Sequence, residues 1–249
     1  MQKILALIPV YNEEASIGPL LKNFDLVFAS SGGEVEVLIV NDGSTDRTME
    51  VVRNYQGPLP LRCLDHAVNE GLGKVIREGL TYASDHLQDE DLVVTLDGDN
   101  SHHPDLIPAM VQAIRQGSDI VIASRFRPGA RIHGLPWSRR QFSVLARLLF
   151  SLFAHIPGVR DYTCGYRAYR VSLLKKGFAH YGDRFIQETG FSCMVEILLK
   201  LARFKPVCLE LPLVLRYDLK AGASKMKVRK TVYKTLALLK DYWFSRRFR

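Results

Sequence analysis

Short, continuous apolar runs alternate along the chain with amphipathic segments, and this alternation restricts the fold more than any other feature. The apolar runs have the composition of β-strands that are buried on both faces, and they cover residues 4–8, 35–40, 92–96 and 120–123, with Glu36 and Thr95 as single polar interruptions. The amphipathic segments have helical periodicity, and they cover residues 15–29, 46–55, 71–86 and 105–116. The alternating order predicts an α/β fold in which a mostly parallel sheet is flanked by helices.

Polar clusters follow three of these strands directly, at residues 9–14, 41–46 and 97–100. In an open α/β sheet, ligands bind at the carboxyl ends of the strands. We therefore expect the three clusters to meet at one edge of the sheet and to form a ligand site there.

Two carboxylates of the third cluster, Asp97 and Asp99, are separated only by Gly98. The glycine allows a tight backbone and the close approach of a ligand. Two hard oxygen donors at this spacing suit Mg²⁺ or Mn²⁺ that also binds phosphate oxygens. An aspartate-rich turn is the structural alternative, because Asp-Gly is a common turn dipeptide.

Asp42 follows the second strand, and the residues after it are suited to a different task. Ser44 or Thr45 is suited to cap the next helix, which leaves Asp42 free to face the cleft. His102 and His103 are either metal ligands or a loop pair that precedes the helix opened by Pro104.

Charge is distributed unevenly along the chain, whose formal net charge is +8. Residues 220–249 hold ten basic residues and one acid, whereas residues 1–219 hold 24 basic residues and 25 acids. The body is therefore nearly neutral and the tail is strongly basic. A uniformly basic fold that binds nucleic acid is excluded by this distribution, so no nucleic-acid partner is expected.

Together the motifs resemble family 2 glycosyltransferases of the GT-A fold, which is Rossmann-like. The motifs are Pro9-x-Tyr11-Asn12-Glu13, Asn41-Asp42-Gly43-Ser44-x-Asp46, Asn69-x-Gly71-x-Gly73 and Asp97-x-Asp99. Within that family the chain most resembles the dolichol-phosphate mannose synthase branch, the polyprenyl-phosphate glycosyltransferases. The marks of the branch are Ser101-His102-His103-Pro104, the segments 123–126 and 161–167, Glu210-x-Pro212 and Gly222-x-Ser224-Lys225. The resemblance covers about residues 3–225.

The resemblance implies a role for each matching position. The residues implied to hold the nucleoside are Pro9, Tyr11, Glu13, Val40 and Asp42. The residues implied to hold ribose, metal and diphosphate are Asp97, Gly98 and Asp99, with Ser101 also lining the metal. Arg125 is implied to contact the phosphate or sugar of the donor, and the catalytic residues are then Asp97, Asp99 and Arg125.

The acceptor phosphate is implied to bind Arg131, Arg139 or Arg140, Arg216 and Lys225. Arg216 lies farther from Lys225 than the corresponding basic residue of family members, so Lys220 is the alternative. Asp161, Thr163 and Arg167 either shape the acceptor side or form a structural turn. Glu188 and Glu196 belong to a predicted apolar helix over residues 189–201, where an acid either orients an arginine or lies at the surface.

The implied activity is that of a metal-dependent, inverting transferase. It would move one sugar from a nucleotide-sugar to a polyprenyl phosphate, with mannose from GDP-mannose favoured and glucose from UDP-glucose next. A lipid phosphate is already an anion, so it can attack without a general base. Transfer to a saccharide or lipid hydroxyl is the alternative enzyme activity, although the Q-x-x-R-W signature of processive members is absent. A non-catalytic nucleotide-sugar-binding protein or membrane scaffold is the alternative of another class.

Two basic amphipathic segments, residues 138–156 and 225–249, are suited to an anionic membrane surface. The second could instead pack its apolar stripe on the body or bind a membrane-embedded partner subunit. No secretory signal is visible, and no apolar stretch reaches the roughly 18 residues of a spanning helix. We expect a cytoplasmic protein, peripheral on the inner face of the membrane, with a catalytic domain over 1–219 and a membrane-proximal tail over 220–249.

Overall fold

The computed structural model describes residues 2–29, 34–134, 137–220 and 228–244. Its strands are β1 Ile4–Val10, β2 Val35–Asn41, β3 Leu61–Asp65, β4 Leu92–Thr95, β5 Ile120–Ser124, β6 Arg131–His133, β7 Arg167–Arg170, β8 Cys208–Pro212 and β9 Val214–Arg216. Its helices are α1 Ile17–Phe28, α2 Thr48–Arg53, α3 Leu72–His86, α4 Ile107–Arg115, α5 Trp137–Phe153, α6 Val171–Tyr181, α7 Cys193–Leu201 and α8 Val228–Phe244. Short 3₁₀ turns lie at Pro104–Leu106, Gly182–Arg184, Ala202–Phe204 and Tyr217–Leu219.

Seven strands form the main sheet in the order β3-β2-β1-β4-β7-β5-β8. Every neighbouring pair is parallel except those made by β7, which runs antiparallel to both β4 and β5. β6 and β9 form a separate parallel pair. The prediction of a mostly parallel sheet flanked by helices is confirmed.

The strand order reverses between β1 and β4, and this reversal positions the site. The chain runs outward from β1 to β2 and β3, then returns through α3 to place β4 on the other side of β1. A crevice opens at such a switch point, beyond the carboxyl ends of the two diverging strands. The polar clusters at 9–14 and 97–100 lie at those two strand ends, as the sequence predicted.

The four apolar runs form the centre of the sheet because burial on both faces demands side chains without polar groups. β4 and β5 are buried at every residue, and β1 is buried at all but one. Strands absent from the sequence prediction have a different pattern. β3, at the sheet edge, has only half-buried and exposed residues, and β7 contains Arg167 and Arg170.

Arg167 is fully buried in β7, and backbone carbonyls make that position possible. Its guanidinium donates to the carbonyl of Met194 at 2.6 Å and to that of Tyr162 at 2.7 Å. This placement supports the structural interpretation of Arg167 rather than a contact with an acceptor. The helix expected over 189–201 begins at Cys193, so Glu188 lies in the preceding loop.

The two amphipathic helices both pack on the body through part of their surface. In α5, Phe150 is buried and stacks on Tyr162 with ring centroids 4.9 Å apart. In α8, Leu238 and Leu239 are buried, which agrees with the packed alternative for that helix. Within the described ranges, no helix is both long enough and apolar enough to cross a bilayer.

Candidate active site

A cleft of about 820 Å³ opens at the switch point. Its wall includes nine of the site residues that the sequence suggested: Pro9, Tyr11, Glu13, Asp42, Asp97, Gly98, Asp99, Ser101 and Arg125. Val40 does not line it, because its side chain is buried within β2. α5 and α8 close the opposite side, chiefly with Leu145, Leu149, Leu236 and Leu239.

Asp99 lines the cleft, and groups of the chain engage both of its oxygens. Its Oδ1 accepts hydrogen bonds from the backbone N–H of Ser101 at 3.0 Å and from the Ser101 hydroxyl at 2.6 Å. Its Oδ2 contacts the ammonium of Lys220. Burial, the largest single effect, raises the pKa of Asp99, but the charge of Lys220, the neighbouring His102 and the hydrogen bonds from Lys220 and Ser101 together leave that pKa below its ordinary value. Asp99 is therefore held as an anion.

Asp97 differs from Asp99 in its electrostatics. Enclosure by the cleft walls raises the pKa of Asp97, despite the neighbouring ring of His102, and the Asp99 carboxylate adds to the rise. His102 is buried, and its Nδ1 accepts from the backbone N–H of Asp97 at 3.3 Å. Gly98 is needed here, because a Cβ would lie 2.8 Å from Val10 and 2.9 Å from the carbonyl of Pro9.

The donor set fits a divalent cation that completes its ligands from a substrate. Asp97, Asp99 and Ser101 present hard oxygen atoms, and a cationic group, Lys220, already contacts one of them. The part of the chain that the structure describes contains no closed cluster of three or more His, Cys, Asp or Glu side chains around a metal position. His103 accepts from the N–H of Asp105 at the start of the Pro104–Leu106 turn, which agrees with the loop interpretation of that histidine.

Asp42 lies at the end of β2 and faces the cleft, as expected. Its carboxylate accepts from the N–H of Glu70 at 2.8 Å and from the N–H of Gly71 at 3.0 Å. The capping prediction was wrong. Asp46, and neither Ser44 nor Thr45, accepts from the N–H of Thr48 at the start of α2.

Ser44 and Thr45 instead hold the first polar cluster in place. The Ser44 hydroxyl accepts from the N–H of Asn12 at 3.0 Å, and the N–H of Thr45 donates to the Asn12 side chain at 2.8 Å. Asn12 has a left-handed backbone conformation, with φ of 52°. These bonds fix the loop after β1 against the loop after β2.

Arg125 is fixed by a buried partner, Asp161. The guanidinium donates to both oxygens of Asp161, at 2.8 and 2.6 Å, and also to the hydroxyls of Ser143 and Thr163. Asp161 is completely buried, and Arg125 lowers its pKa against the opposing effect of burial. Asp161 and Thr163 thus hold a cleft arginine in place, and the interpretation that they shape the acceptor side stays a prediction.

The cations predicted for the acceptor are spread over several environments. Arg131 is exposed on β6 and does not line the cleft. Arg216 pairs with Asp218 at 2.8 Å near the surface. Lys225 and the side chains of Arg139 and Arg140 lie outside the described residues. Lys220, the alternative to Arg216, lines the cleft directly.

The loop before α7 contributes contacts that the sequence did not predict. Glu188 accepts from Lys234 of α8 at 3.0 Å and from the Ser192 hydroxyl at 2.9 Å. Glu196 is buried in an ion pair with Lys200 and accepts from the N–H groups of Gln187 and Glu188. Glu196 therefore orients this loop and Lys200. The sequence suggested that it could orient an arginine, but its partner here is a lysine. A sequence signal for these contacts was available in the polar segment 187–190, which directly precedes an apolar helix.

Comparisons with known proteins identify the family. The family model described as Glycosyl transferase family 2 matches residues 6–178. The chain is 30% identical over 236 residues to the Dolichol-phosphate mannosyltransferase of Pyrococcus furiosus, an alignment that covers 94% of this chain and 62% of that protein. It is 28% identical over 225 residues to the Undecaprenyl-phosphate mannosyltransferase of Micrococcus luteus, covering 90% of this chain and 87% of that protein. The chain thus spans less than two thirds of the length of the Pyrococcus relative.

A solved structure with the same fold is glucosyl-3-phosphoglycerate synthase from Mycobacterium tuberculosis, in complex with Mn²⁺, uridine diphosphate and glucosyl-3-phosphoglycerate. The TM-score is 0.69 at 20% identity, over 97% of this chain and 80% of that chain. That likeness concerns the fold alone. The sequence prediction of a family 2 glycosyltransferase is confirmed at the level of the family: this chain belongs to glycosyl transferase family 2 and has the GT-A fold.

Proposed function

We propose that this protein transfers a single sugar from a nucleotide-sugar to a polyprenyl phosphate. The observation that carries the proposal is that one cleft joins a carboxylate pair, Asp97 and Asp99, to an apolar wall formed by α5 and α8. The carboxylates suit a diphosphate donor held through a metal ion, and the apolar wall suits a lipid acceptor. The names of the Pyrococcus and Micrococcus relatives, dolichol-phosphate and undecaprenyl-phosphate mannosyltransferases, support this acceptor class.

On the donor side, the residues proposed to hold the nucleoside are Pro9, Tyr11, Glu13 and Asp42, with Val40 supporting Asp42 from the core. Asp97, Asp99 and Ser101 would hold Mg²⁺ or Mn²⁺, with Gly98 allowing the close approach of the diphosphate. Such an ion, when bound, neutralises the charge that develops on the leaving diphosphate. The use of Mn²⁺ or Mg²⁺ by a solved protein of this fold supports that proposal.

On the acceptor side, the chemical difficulty is repulsion between two anions and not activation of a nucleophile. Arg125 reduces that repulsion from a fixed position, because Asp161 holds its guanidinium at the cleft wall. The cations proposed for the acceptor phosphate are Arg131, Arg139, Arg140, Arg216 and Lys225. Lys220 lines the cleft and Arg216 does not, so Lys220 is the better candidate of the two. In-line attack by the phosphate oxygen inverts the anomeric carbon.

Mannose from GDP-mannose remains the favoured donor sugar, because both relatives named above are mannosyltransferases. Glucose from UDP-glucose is the second choice. Asp42, which lines the cleft, is the residue proposed to distinguish the bases.

The membrane role is proposed from the exposed apolar face of α5. Leu145, Leu148 and Leu152 lie on that face, and Leu148 and Leu152 are 60% and 73% exposed. Leu145 and Leu236 of α8 also line the cleft mouth, so a lipid could enter directly from this surface. We propose peripheral binding to the anionic inner face of the membrane, aided by the basic tail over 220–249 and, in the cell, by a membrane-embedded partner subunit.

The donor and the metal are tested together. Purified protein is incubated with Mn²⁺, a short polyprenyl phosphate and each of several labelled nucleotide-sugars, and lipid-extractable label is counted. Label should appear with GDP-mannose and should disappear with EDTA or with Asp99→Ala. Transfer that persists in EDTA would contradict the metal-dependent proposal.

A further inference from the structure

Both oxygens of Asp99 are already engaged by groups of the chain itself. Oδ1 accepts from the N–H and the hydroxyl of Ser101, at 3.0 and 2.6 Å. Oδ2 contacts the ammonium of Lys220, and the side chains of Lys220 and Asp99 are only 11% and 8% exposed. A divalent ion that binds Asp99 through Oδ2 therefore takes the oxygen that the ammonium now contacts.

Lys220 is brought to this position by the C-terminal part of the domain. It directly follows the Tyr217–Leu219 turn, which continues from β9. Two contacts attach β9 to the Asp99 loop: the N–H of Arg216 donates to the carbonyl of Ser101 at 3.0 Å, and Leu215 forms a β-bridge with His102. β9 also pairs with β6, on which Arg131 lies. Lys220 thus closely follows a strand that contacts the Asp99 loop and also pairs with the strand of Arg131.

An ammonium and a divalent ion cannot both remain on one carboxylate, because like charges a few ångströms apart repel strongly where water is scarce. We propose that Lys220 is a built-in counter-ion of Asp99, that a divalent cation displaces it, and that the displaced ammonium then serves the acceptor phosphate. This inference rests on the proposed function, since it takes Asp99 as a metal ligand. The Lys220 ammonium also lies 5.6 Å from the centroid of the Tyr217 ring, a cation–π contact that accompanies its contact with Asp99.

The exchange couples the two halves of the site. A cation on Asp99 favours the released lysine, and an acceptor phosphate that binds the released lysine favours the cation by the same factor. The metal-loaded donor is therefore expected to raise acceptor affinity, and to do so through Lys220.

The first test measures Mn²⁺ affinity without turnover, by electron paramagnetic resonance of free Mn²⁺, with and without GDP. Lys220→Met should bind Mn²⁺ more tightly than the wild type by a factor of about five or more, which is typical of the coupling between two sites. Lys220→Arg keeps the charge and should remain near the wild-type value. Lys234→Met is the matched control, because Lys234 also lines the cleft but pairs with Glu188. It should bind Mn²⁺ much as the wild type does.

The second test follows the lysine itself. Acetic anhydride labelling, mapped by mass spectrometry, should modify Lys220 slowly in metal-free protein and faster once Mn²⁺ is added. In Asp99→Asn, labelling of Lys220 should be fast with or without Mn²⁺, while labelling of Lys234 should not respond.

The outcomes separate this inference from the proposed function. Two results would overturn the counter-ion proposal while leaving the transferase proposal intact. One is equal Mn²⁺ affinity in the wild type, Lys220→Met and Lys234→Met. The other is a rate of Lys220 labelling that does not change when Mn²⁺ is added. If Lys220→Met and Lys234→Met tighten Mn²⁺ binding equally, the loss of any positive charge near the cleft explains the tighter binding, and the inference also fails. If no variant binds Mn²⁺ even with GDP, the metal-dependent function fails and the counter-ion fails with it.

Discussion

Replacing Asp161 with alanine should destabilise the fold strongly, because it removes the only carboxylate bonded to the Arg125 guanidinium among the described residues. Asp161 accepts from the Arg125 side chain at 2.8 and 2.6 Å and from the backbone N–H groups of Arg125, Thr163 and Cys164 at 3.1, 3.3 and 3.1 Å. Alanine would leave those donors unmatched and the guanidinium without its counter-charge.

The size of the effect follows from burial. Breaking a buried ion pair by removing one partner costs about 3–5 kcal/mol. Asp161 is completely buried, but Arg125 is 14% exposed to the cleft, from which water can reach it. We therefore expect a loss near the lower limit, about 3 kcal/mol in the free energy of unfolding.

Urea denaturation at pH 7 measures this loss, and Asp218→Ala supplies the matched control. Asp218 also pairs with an arginine, Arg216, but these two side chains are 40% and 41% exposed, whereas Asp161 is completely buried. That substitution should produce no measurable change, since exposed ion pairs contribute little. If Asp161→Ala were no less stable than Asp218→Ala, the assignment of Asp161 as the anchor of Arg125 would be refuted.

The pH dependence of Asp161 has a definite sign. Arg125 lowers the pKa of this carboxyl in the folded protein. The stability that ionised Asp161 contributes is therefore fully present above the pKa of an aspartate in the unfolded chain, about 3.9. The contribution is lost as the pH falls from that value towards the lower, folded pKa. The stability difference between wild type and Asp161→Asn should therefore shrink below about pH 4.

Two further predictions concern the loops and the helix around the cleft. Gly73→Ala should destabilise the protein by at least about 1–3 kcal/mol in thermal denaturation, because its Cβ would lie 1.7 Å from the carbonyl oxygen of Glu188. Gly190→Ala should be tolerated, since its Cβ would meet no atom within 4 Å; equal effects of the two substitutions would contradict the close packing of these loops. The double change Leu148→Ser and Leu152→Ser should alter the unfolding free energy by less than about 0.5 kcal/mol per site, yet should reduce flotation with anionic liposomes. Unchanged flotation would remove the membrane role of α5.

The sheet and the position of the site could be predicted from the sequence, because both depend on local patterns. The run 92–96 is apolar except for Thr95, and burial on both faces explains that composition. The Asp97-Gly98-Asp99 motif follows such a run directly, so its place at the sheet edge was predictable. β7 was not, because Arg167 resembles a surface residue until the carbonyls of Met194 and Tyr162 are seen to bind it.

The remaining contacts of the site depend on residues far apart in the chain. Lys220 and Asp99 are separated by 121 positions, and no local pattern indicates that they touch. The same holds for Glu188 and Lys234, which join the loop before α7 to α8. Such contacts follow from how β9 and α8 return to the cleft, and that path is set by tertiary packing.

The chemical nature of the acceptor tests the central proposal most directly. Purified protein, Mn²⁺ and GDP-mannose are incubated with either a polyprenyl phosphate or the matching free polyprenol, and the lipid products are identified by mass spectrometry. We predict a polyprenyl-phosphate sugar from the first acceptor, with the anomeric configuration inverted, and no product from the second. A glycosylated polyprenol, or sugar transfer to a saccharide hydroxyl in place of the lipid phosphate, would contradict the account.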